Sequence, residues 1–217
     1  MTPQLLVVAK APVAGRVKTR LGEDIGMDAA AEVAAASLLD TLTACARTVG
    51  AASCHLSLDG DLSEAVAGGR IAEATTGWSV RPQRGDGLAE RLANAHAEVP
   101  GPVVQVGMDT PQLTVDLLSE VADGLSGHDA VLAPAEDGGW WALALRDPTA
   151  AQALVGVPMS TPTTYDDTRA ALQAAGLSVG SASALRDIDT VTDAEAVAGL
   201  VPSSEFAAAW ARCSPRG

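Results

Sequence analysis

Short apolar runs along the chain alternate with longer stretches whose apolar residues recur every three or four positions. The runs predict buried strands and the longer stretches predict helices. The predicted strands and extended segments are 5–9, 54–58, 78–82, 102–107, 130–134, 140–145 and 177–179. The predicted helices are 28–49, 61–67, 88–99, 114–125, 149–155, 161–175, 192–200 and 203–212. This alternation indicates an α/β fold, with a mainly parallel sheet and helices on both faces.

The first long helix shows the clearest periodicity. Asp28 is a suitable N-cap, and an apolar stripe runs down one face. The stripe consists of Leu38, Leu42, Cys45 and Val49.

Polar residues lie just past three of the predicted strands. Lys10 comes after the first strand, Asp109 after the strand at 102–107, and Asp137 after the strand at 130–134. In mainly parallel sheets, ligands bind outside the carboxyl ends of the strands. We therefore expect these three side chains to share one site.

The loop after the first strand concentrates positive charge in an acidic protein. The net charge is −13, yet residues 10–20 hold four of the 14 Lys and Arg residues, including both lysines of the chain. Arg16, Lys18 and Arg20 are two positions apart, so on an extended segment they would point the same way, and Gly15 would let the backbone approach a ligand. This favours a phosphate site, although a solvated surface loop would show the same charge. The loop is not a P-loop, because no glycine directly precedes Lys18.

Composition narrows the class of protein. The chain has 217 residues, 47% of them hydrophobic and only 3% aromatic, and no linker divides it. We therefore predict a single domain over residues 1–217 with a core of Ala, Val and Leu. The acidic balance argues against nucleic acid as the main partner. The three cysteines lack CxxC spacing, and no signal peptide or apolar run of about 20 residues is evident, so we predict a cytoplasmic protein with reduced thiols and no membrane span.

Several carboxylates are candidate metal ligands. Asp109 follows a buried strand close to the expected phosphate site, an arrangement that suits Mg²⁺. The alternative is a helix cap ahead of Thr114. Asp187 and Asp189 are separated by one residue, so on an extended strand both would face one side and one of them would supply a second ligand. A turn before the next helix explains that pair equally well.

The segment from Glu136 to Gly139 places two glycines after two carboxylates. The glycines either allow a substrate to approach the backbone or form a tight turn between strands. Trp140 and Trp141 follow and alternate in direction, so one is expected to pack inward and the other to line the pocket.

Five stretches, taken together, resemble a known family. In chain order they read AKAPVAGRVKTRL, QRGDGLAERL, VGMDTPQL, APAEDGGWWALAL and DIDTVTDAEAV, and the resemblance covers residues 4–200. They are similar to the glycosyltransferase-A-like domain of unknown function 2064 (DUF2064). That family belongs to the nucleotide-diphospho-sugar transferase superfamily and is related to the 2-phospho-lactate guanylyltransferases. The resemblance implies a Rossmann-like glycosyltransferase-A fold.

The resemblance also implies roles for the candidate residues. The nucleotide would be held by Lys10, Gly15, Arg16, Lys18 and Arg20 at its phosphates and by Gln83, Gly85 and Asp86 near its base or ribose. The metal would be held by Asp109 with Asp187 or Asp189. The second substrate would lie against Asp137, Gly138 and Gly139. The residues expected to act in catalysis are Lys18, Asp109 and Asp137.

These observations lead to a functional prediction. We expect a Mg²⁺- or Mn²⁺-dependent nucleotidyltransferase that joins a nucleoside triphosphate to a small phosphorylated acceptor and releases pyrophosphate. A glycosyltransferase with a nucleotide-sugar donor is one alternative, and a non-catalytic nucleotide-binding protein is another. The chain lacks the LxxGxGxR loop of sugar-nucleotide pyrophosphorylases, and Asp109 is followed by Thr110 and Pro111, so it does not begin a DxD signature. The expected partners are a nucleotide and a small-molecule acceptor. The sequence gives no prediction of oligomeric state.

Overall fold

The computed structural model describes residues 3–214, which contain a seven-stranded sheet. The strands are β1 (Gln4–Lys10), β2 (Cys54–Asp59), β3 (Ser79–Pro82), β4 (Val103–Val106), β5 (Ala130–Pro134), β6 (Trp140–Leu145) and β7 (Val179–Ser181). They lie in the order β3-β2-β1-β4-β6-β5-β7. β6 runs antiparallel to its neighbours β4 and β5, and the other pairs are parallel. A single domain over residues 1–217 stays a prediction.

Helices cover both faces of this sheet. They are α1 (Thr19–Ile25), α2 (Met27–Val49), α3 (Gly68–Ala74), α4 (Leu88–Ala97), α5 (Val115–Gly124), α6 (Thr164–Ala174), α7 (Val191–Leu200) and α8 (Glu205–Cys213), with 3₁₀ helices at Ala51–Ser53 and Pro148–Leu154. One face packs on α2, α3 and α5, and the other packs on α4, α6 and the second 3₁₀ helix. The predicted Rossmann-like, mainly parallel α/β fold with helices on both faces is therefore confirmed.

The central strand β1 shows why the sheet is buried on both sides. Leu5 and Val7 belong to the core on the α2 side, whereas Leu6 and Val8 belong to the core on the α4 side. A strand covered on both faces reads as an uninterrupted apolar run, as this one does. A third apolar cluster, which includes Leu21, Ile188 and Phe206, joins α1, α2, α7 and α8.

Several predicted boundaries are wrong for local reasons. Helix α2 starts at Met27 with Gly26 as its N-cap, so Asp28 lies in the first turn. Its negative charge there interacts favourably with the positive end of the helix dipole. Residues 61–67 form turns, and the helix begins only at Gly68. A side chain at Gly68 would lie 1.9 Å from the carbonyl oxygen of Leu62, so the chain must turn tightly before the helix starts.

Three further elements differ from the sequence prediction. Helix α1 was not predicted, because only Leu21 and Gly22 of its seven residues are buried and no side chain caps it. The segment predicted as a helix at 149–155 is the 3₁₀ helix Pro148–Leu154. The last extended segment lies at Val179–Ser181, two residues later than expected, where it pairs with β5.

Helix α2 is long and apolar enough to cross a membrane by length and composition, contrary to the sequence prediction that no stretch approaches this length. However, 72% of its most apolar window is buried inside the fold. It packs on the sheet, α5 and α8. These contacts are those of a core helix.

Candidate active site

A cleft of about 650 Å³ opens at the carboxyl ends of β1, β4 and β5. It brings together Lys10, Asp109 and Asp137, the three side chains that follow strands in the sequence. The segment at 187–189 reaches the same cleft from the far end of the chain. The charged residues that line it are Lys10, Arg16, Lys18, Arg20, Asp109, Asp137, Asp187 and Asp189.

Lys18 lies at the centre of the charged side chains. Its Nζ is 3.1 Å from Oδ1 of Asp109 and 3.1 Å from Oδ1 of Asp189. The lysine side chain is only 6% exposed, whereas the two carboxylates are 40% and 41% exposed. Burial disfavours the ammonium, but Asp109 and Asp189 outweigh that cost, so the pKa of Lys18 lies above its usual 10.5. The ammonium is therefore charged at neutral pH.

Asp187 lies beside this group in a less solvated position. Burial, followed in importance by the nearby Asp109 carboxylate, raises the pKa of Asp187 to about 7, and Lys18 only partly offsets this. Gathering carboxylates at one buried point is electrostatically costly unless a cation joins them.

Backbone contacts hold the segment at 185–189 in place. The backbone N–H of Leu185 donates to the carbonyl of Pro134 at 3.1 Å, and the N–H of Glu136 donates to the carbonyl of Leu185 at 3.0 Å. The side chain of Gln112, on the loop after Asp109, donates to the carbonyl of Arg186 at 2.6 Å. Asp187 and Asp189 are thus tied to the loops that follow β4 and β5.

The other cations of the loop are more exposed than Lys18. Arg20 contacts Oδ2 of Asp189 at 3.4 Å and Arg16 contacts Glu64 at 3.5 Å, and both guanidinium groups are largely in solvent. The prediction that Arg16, Lys18 and Arg20 share an extended segment is wrong. Lys18 has a left-handed backbone (φ 46°) and caps α1, which contains Arg20, whereas Arg16 lies in the preceding turn. This left-handed residue directs the lysine inward.

The predicted base-binding loop is only partly in the cleft. Gln83 lines it, and its Nε2 donates to the carbonyls of Ala9 at 2.9 Å and Ser57 at 3.1 Å. Gly85 and Asp86 lie outside the lining residues, as does Gly15. Gly85 is needed for packing, since a Cβ there would lie 2.8 Å from Cβ of Glu90 on α4. The loop is therefore shaped by its contact with the start of α4.

The segment from Asp137 to Gly139 forms the turn between β5 and β6. Oδ1 of Asp137 accepts a hydrogen bond from the N–H of Gly139 at 2.8 Å, and both residues line the cleft. Gly138 is not among the lining residues, and its backbone lies against Pro162, which does line the cleft. Of the two tryptophans, Trp141 is buried and donates to the carbonyl of Ser183 at 2.9 Å, and Trp140 is half-buried and donates to Thr168 at 3.1 Å.

Substituting Gly138 by alanine is expected to destabilise the protein by about 3 kcal/mol. Its φ of +91° disfavours any side chain, and an added Cβ would lie 2.1 Å from the carbonyl oxygen of Pro162. Gly156→Ala is the matched control, because φ there is +92° and the space around it is open. Urea unfolding should show a loss of about 1 kcal/mol for the control. Equal losses in both variants would contradict the proposed clash.

Sequence analysis missed two uncharged polar residues behind the cleft. Gln105 on β4 lines the cleft while being only 3% exposed, and its Oε1 lies 3.2 Å from Nε2 of the fully buried His96 on α4. Burial lowers the pKa of His96 to about 4, so the ring is neutral at physiological pH. The sequence did contain one sign of this pair, a glutamine within an otherwise apolar strand.

Acidification is expected to destabilise the protein through His96. The folded ring stays neutral down to about pH 4, whereas the unfolded ring takes up a proton below its usual pKa of 6.5. Between these values the unfolded state binds more protons, so stability falls as pH falls. Between pH 7.5 and pH 5, the unfolding free energy of wild type should therefore fall by about 2 kcal/mol relative to that of His96→Gln. Parallel pH profiles would show that His96 does not titrate in this way.

The carboxylates fit a divalent cation by their chemistry. Among residues 3–214, no three or more His, Cys, Asp or Glu side chains are arranged as a metal site. Asp109 and Asp189 instead both contact the Lys18 ammonium, which balances their negative charge. Carboxylate oxygens are the ligands that Mg²⁺ prefers. The donor set therefore has the chemistry that Mg²⁺ or Mn²⁺ prefers, and metal binding by Asp109 with Asp187 or Asp189 stays a prediction.

Comparison with solved structures supports the fold assignment. A candidate nucleotide-diphospho-sugar transferase from Desulfovibrio desulfuricans G20 is 25% identical, with a TM-score of 0.83 over 98% of this chain and 95% of its own. CMP:2-keto-3-deoxy-manno-octonic acid synthetase complexed with CTP is 14% identical, with a TM-score of 0.58 over 92% and 98%. The 4-diphosphocytidyl-2C-methyl-D-erythritol synthase from Anaerococcus prevotii DSM 20548 is 11% identical, with a TM-score of 0.60 over 93% and 100%. The two synthases are informative about the fold alone.

A match to a protein family agrees with the resemblance seen in the sequence motifs. No curated protein matches this chain in sequence. The family described as "Uncharacterized protein conserved in bacteria (DUF2064)" matches residues 41–161, which is more than half of the chain. The fold is that of the nucleotide-diphospho-sugar transferase superfamily. The chain therefore belongs to the DUF2064 family.

Proposed function

We propose that this protein is a nucleotidyltransferase that joins a nucleoside triphosphate to a small phosphorylated acceptor. The observation that carries the proposal is the buried Lys18 ammonium held between Asp109 and Asp189, in a cleft that Arg16 and Arg20 also line. Such a site can bind a polyphosphate and a divalent cation together. The transferase fold, and the CTP bound to a synthetase of similar fold, support a reaction that uses a nucleotide.

The reaction is an in-line transfer at the α-phosphorus. An oxygen of the acceptor phosphate bonds to that phosphorus, the bond to the oxygen bridging the α- and β-phosphates breaks, and pyrophosphate leaves. The attacking phosphate oxygen is already ionised near neutral pH, so no general base is required. This agrees with a cleft whose charged lining residues are only Lys, Arg and Asp.

The chain's own residues would contribute position and charge. Asp109 and one or both of Asp187 and Asp189 would hold Mg²⁺ or Mn²⁺, which when bound neutralises the developing phosphate charge. Lys18, released from the carboxylates, would then donate hydrogen bonds to the phosphates. The exposed Lys10, Arg16 and Arg20 would add charge at the rim, and Asp137 with Gly139 would contact the second substrate. Alignment and charge neutralisation account for most of the acceleration in such transfers.

A glycosyltransferase is the second candidate. The neighbour that is 25% identical over 98% of the chain is described as a candidate nucleotide-diphospho-sugar transferase, and this description favours a nucleotide-sugar donor. In that reaction Asp137, exposed at the β5–β6 turn, is the candidate base for an acceptor hydroxyl.

A thermal-shift screen tests these alternatives. The protein is titrated with four nucleoside triphosphates and common nucleotide sugars, each with Mg²⁺, Mn²⁺ or chelator. Ligand at about a hundred times its dissociation constant stabilises the fold by roughly 2.7 kcal/mol. A metal-dependent shift with a triphosphate, followed by pyrophosphate release with phosphorylated acceptors, supports nucleotidyl transfer. A shift with a nucleotide sugar alone favours glycosyl transfer, and binding without turnover favours a non-catalytic protein. The absence of any shift would contradict the proposed phosphate site.

A further inference from the structure

One polar side chain interrupts the apolar face of the sheet that packs on α4. All four residues of β4 are buried, and Gln105 shares its face with Val103 and the neighbouring Leu6 and Val8. Burying an amide costs free energy unless its hydrogen-bonding groups find partners. Packing alone would be served better by an apolar residue, so Gln105 needs another explanation.

His96 fixes the orientation of the Gln105 amide. The contact joins Nε2 of His96 to Oε1 of Gln105 at 3.2 Å. Because an amide oxygen only accepts, Nε2 of His96 must carry the ring proton. The reversed amide would require the proton on Nδ1, which is buried and has no partner among residues 3–214. An unpaired buried N–H is costly, so the observed orientation is preferred.

The other end of the amide faces the cleft. Among residues 3–214, Nε2 of Gln105 donates no hydrogen bond, although the residue lines the cleft. The cleft is also lined by apolar residues of the cluster on that face of the sheet, namely Val8, Leu92, Trp140 and Met159. Gln105 lies within β4, four residues before Asp109, so the two residues are up to about 13 Å apart along an extended chain. The apolar surroundings of its amide therefore suit an uncharged group that carries a hydrogen-bond acceptor.

We propose that Gln105 determines nucleobase specificity by donating a hydrogen bond to a base carbonyl oxygen. This inference rests on the proposed nucleotidyltransferase function, in which the phosphates occupy the cationic end and the base is the flat, uncharged part of the same molecule. Uracil, cytosine and guanine carry a carbonyl oxygen, whereas adenine presents an amine that would face the amide donor. The site thus selects against ATP. His96 is a positioning residue that keeps the donor aimed at the base.

Calorimetric titration with ATP, GTP, CTP, UTP and inorganic tripolyphosphate, all with Mg²⁺, tests this proposal. Wild type should bind at least one carbonyl-bearing triphosphate more tightly than ATP. Gln105→Leu should weaken binding of that triphosphate about tenfold, which corresponds to the loss of one hydrogen bond. The affinity for tripolyphosphate should stay unchanged. Gln105→Glu replaces the donor by an acceptor and should move the preference toward ATP. If Gln105→Leu does not fold, the base preference of Gln105→Glu tests the proposal instead.

His96→Phe provides a separate measurement of the positioning role. It should reduce the ratio of affinities between the preferred triphosphate and ATP while tripolyphosphate binding stays the same. A purely structural role would lower all affinities together and would overturn the inference. Triphosphate binding that is identical in wild type and both Gln105 variants, or a wild-type preference for ATP, would also overturn it while leaving nucleotidyl transfer intact. If wild type binds no triphosphate, the proposed function fails as well.

Discussion

Replacing Asp109 by asparagine is expected to abolish metal-dependent turnover, lowering kcat by at least about 10³-fold. Asp109 is partly exposed in the loop after β4 and contacts the Lys18 ammonium, so its carboxylate already lies beside a positive charge in the cleft. Metal ions stabilise the charge of such transition states by several kcal/mol, and 4 kcal/mol corresponds to roughly a thousandfold in rate. Asparagine keeps the size of the side chain and removes the charge.

The measurement is steady-state pyrophosphate release, with circular dichroism to verify folding. Asp123→Asn, an exposed aspartate on α5, is the control for the loss of one negative charge and should keep wild-type activity. Asp189 still pairs with Lys18 in the Asp109→Asn variant, so we expect the variant to fold. Full activity of the folded variant would rule out Asp109 as a metal ligand.

Replacing Lys18 by methionine is expected to make the stability of the protein depend on a divalent cation. Without the ammonium, Asp109, Asp187 and Asp189 repel one another at the centre of the cleft. Because Asp109 and Asp189 are partly solvated, we expect a modest loss of about 1–2 kcal/mol in chelator. Mg²⁺ should restore this loss and bind more tightly than to wild type, since Lys18 no longer competes for the carboxylates. Triphosphate affinity should fall at least about tenfold through loss of a charge-assisted hydrogen bond.

The chain provides a matched control, because Lys10 is its only other lysine. Lys10 is exposed at the end of β1, and among residues 3–214 it forms no salt bridge with the central carboxylates. Lys10→Met should therefore weaken triphosphate binding without changing how Mg²⁺ affects stability. Thermal denaturation in chelator and in Mg²⁺ measures the effect for both variants. Equal stability of Lys18→Met in the two conditions would show that Lys18 does not occupy the position of a cation.

The cationic loop shows where prediction from sequence succeeds and where it fails. The concentration of Lys and Arg residues in this loop predicted an anion site. Lys10, Arg16, Lys18 and Arg20 do line one cleft, and their phosphate-binding role stays a prediction. The assumption of an extended segment was wrong, because Lys18 has a left-handed backbone. The local sequence does not predict this conformation, since the residue is not a glycine. That conformation of Lys18 is held by its long-range contacts with Asp109 and Asp189, which are 91 and 171 positions away.

The amide of Gln105 illustrates the same limit. Its place in an apolar strand could be read from the chain, but its partner His96 lies on a different element, α4. Only the packing of α4 against the sheet determines that the ring reaches the amide oxygen. Such a hydrogen bond depends on the distance between two elements, which the spacing of apolar residues along the chain does not predict.

The sequence by itself determined the alternation of strands and helices, the burial of β1 and β4, and the strand-end positions of Lys10, Asp109 and Asp137. These features follow from local patterns, since a strand buried on both faces must be apolar and its polar continuation must emerge at the sheet edge. The tertiary structure alone decided that Lys18 is buried between two carboxylates and that Asp187 joins them. It also decided that Gly138 packs on Pro162 and that β6 runs antiparallel between β4 and β5. Each of these depends on contacts between distant segments, whose electrostatic and steric costs are resolved only when the whole chain has folded.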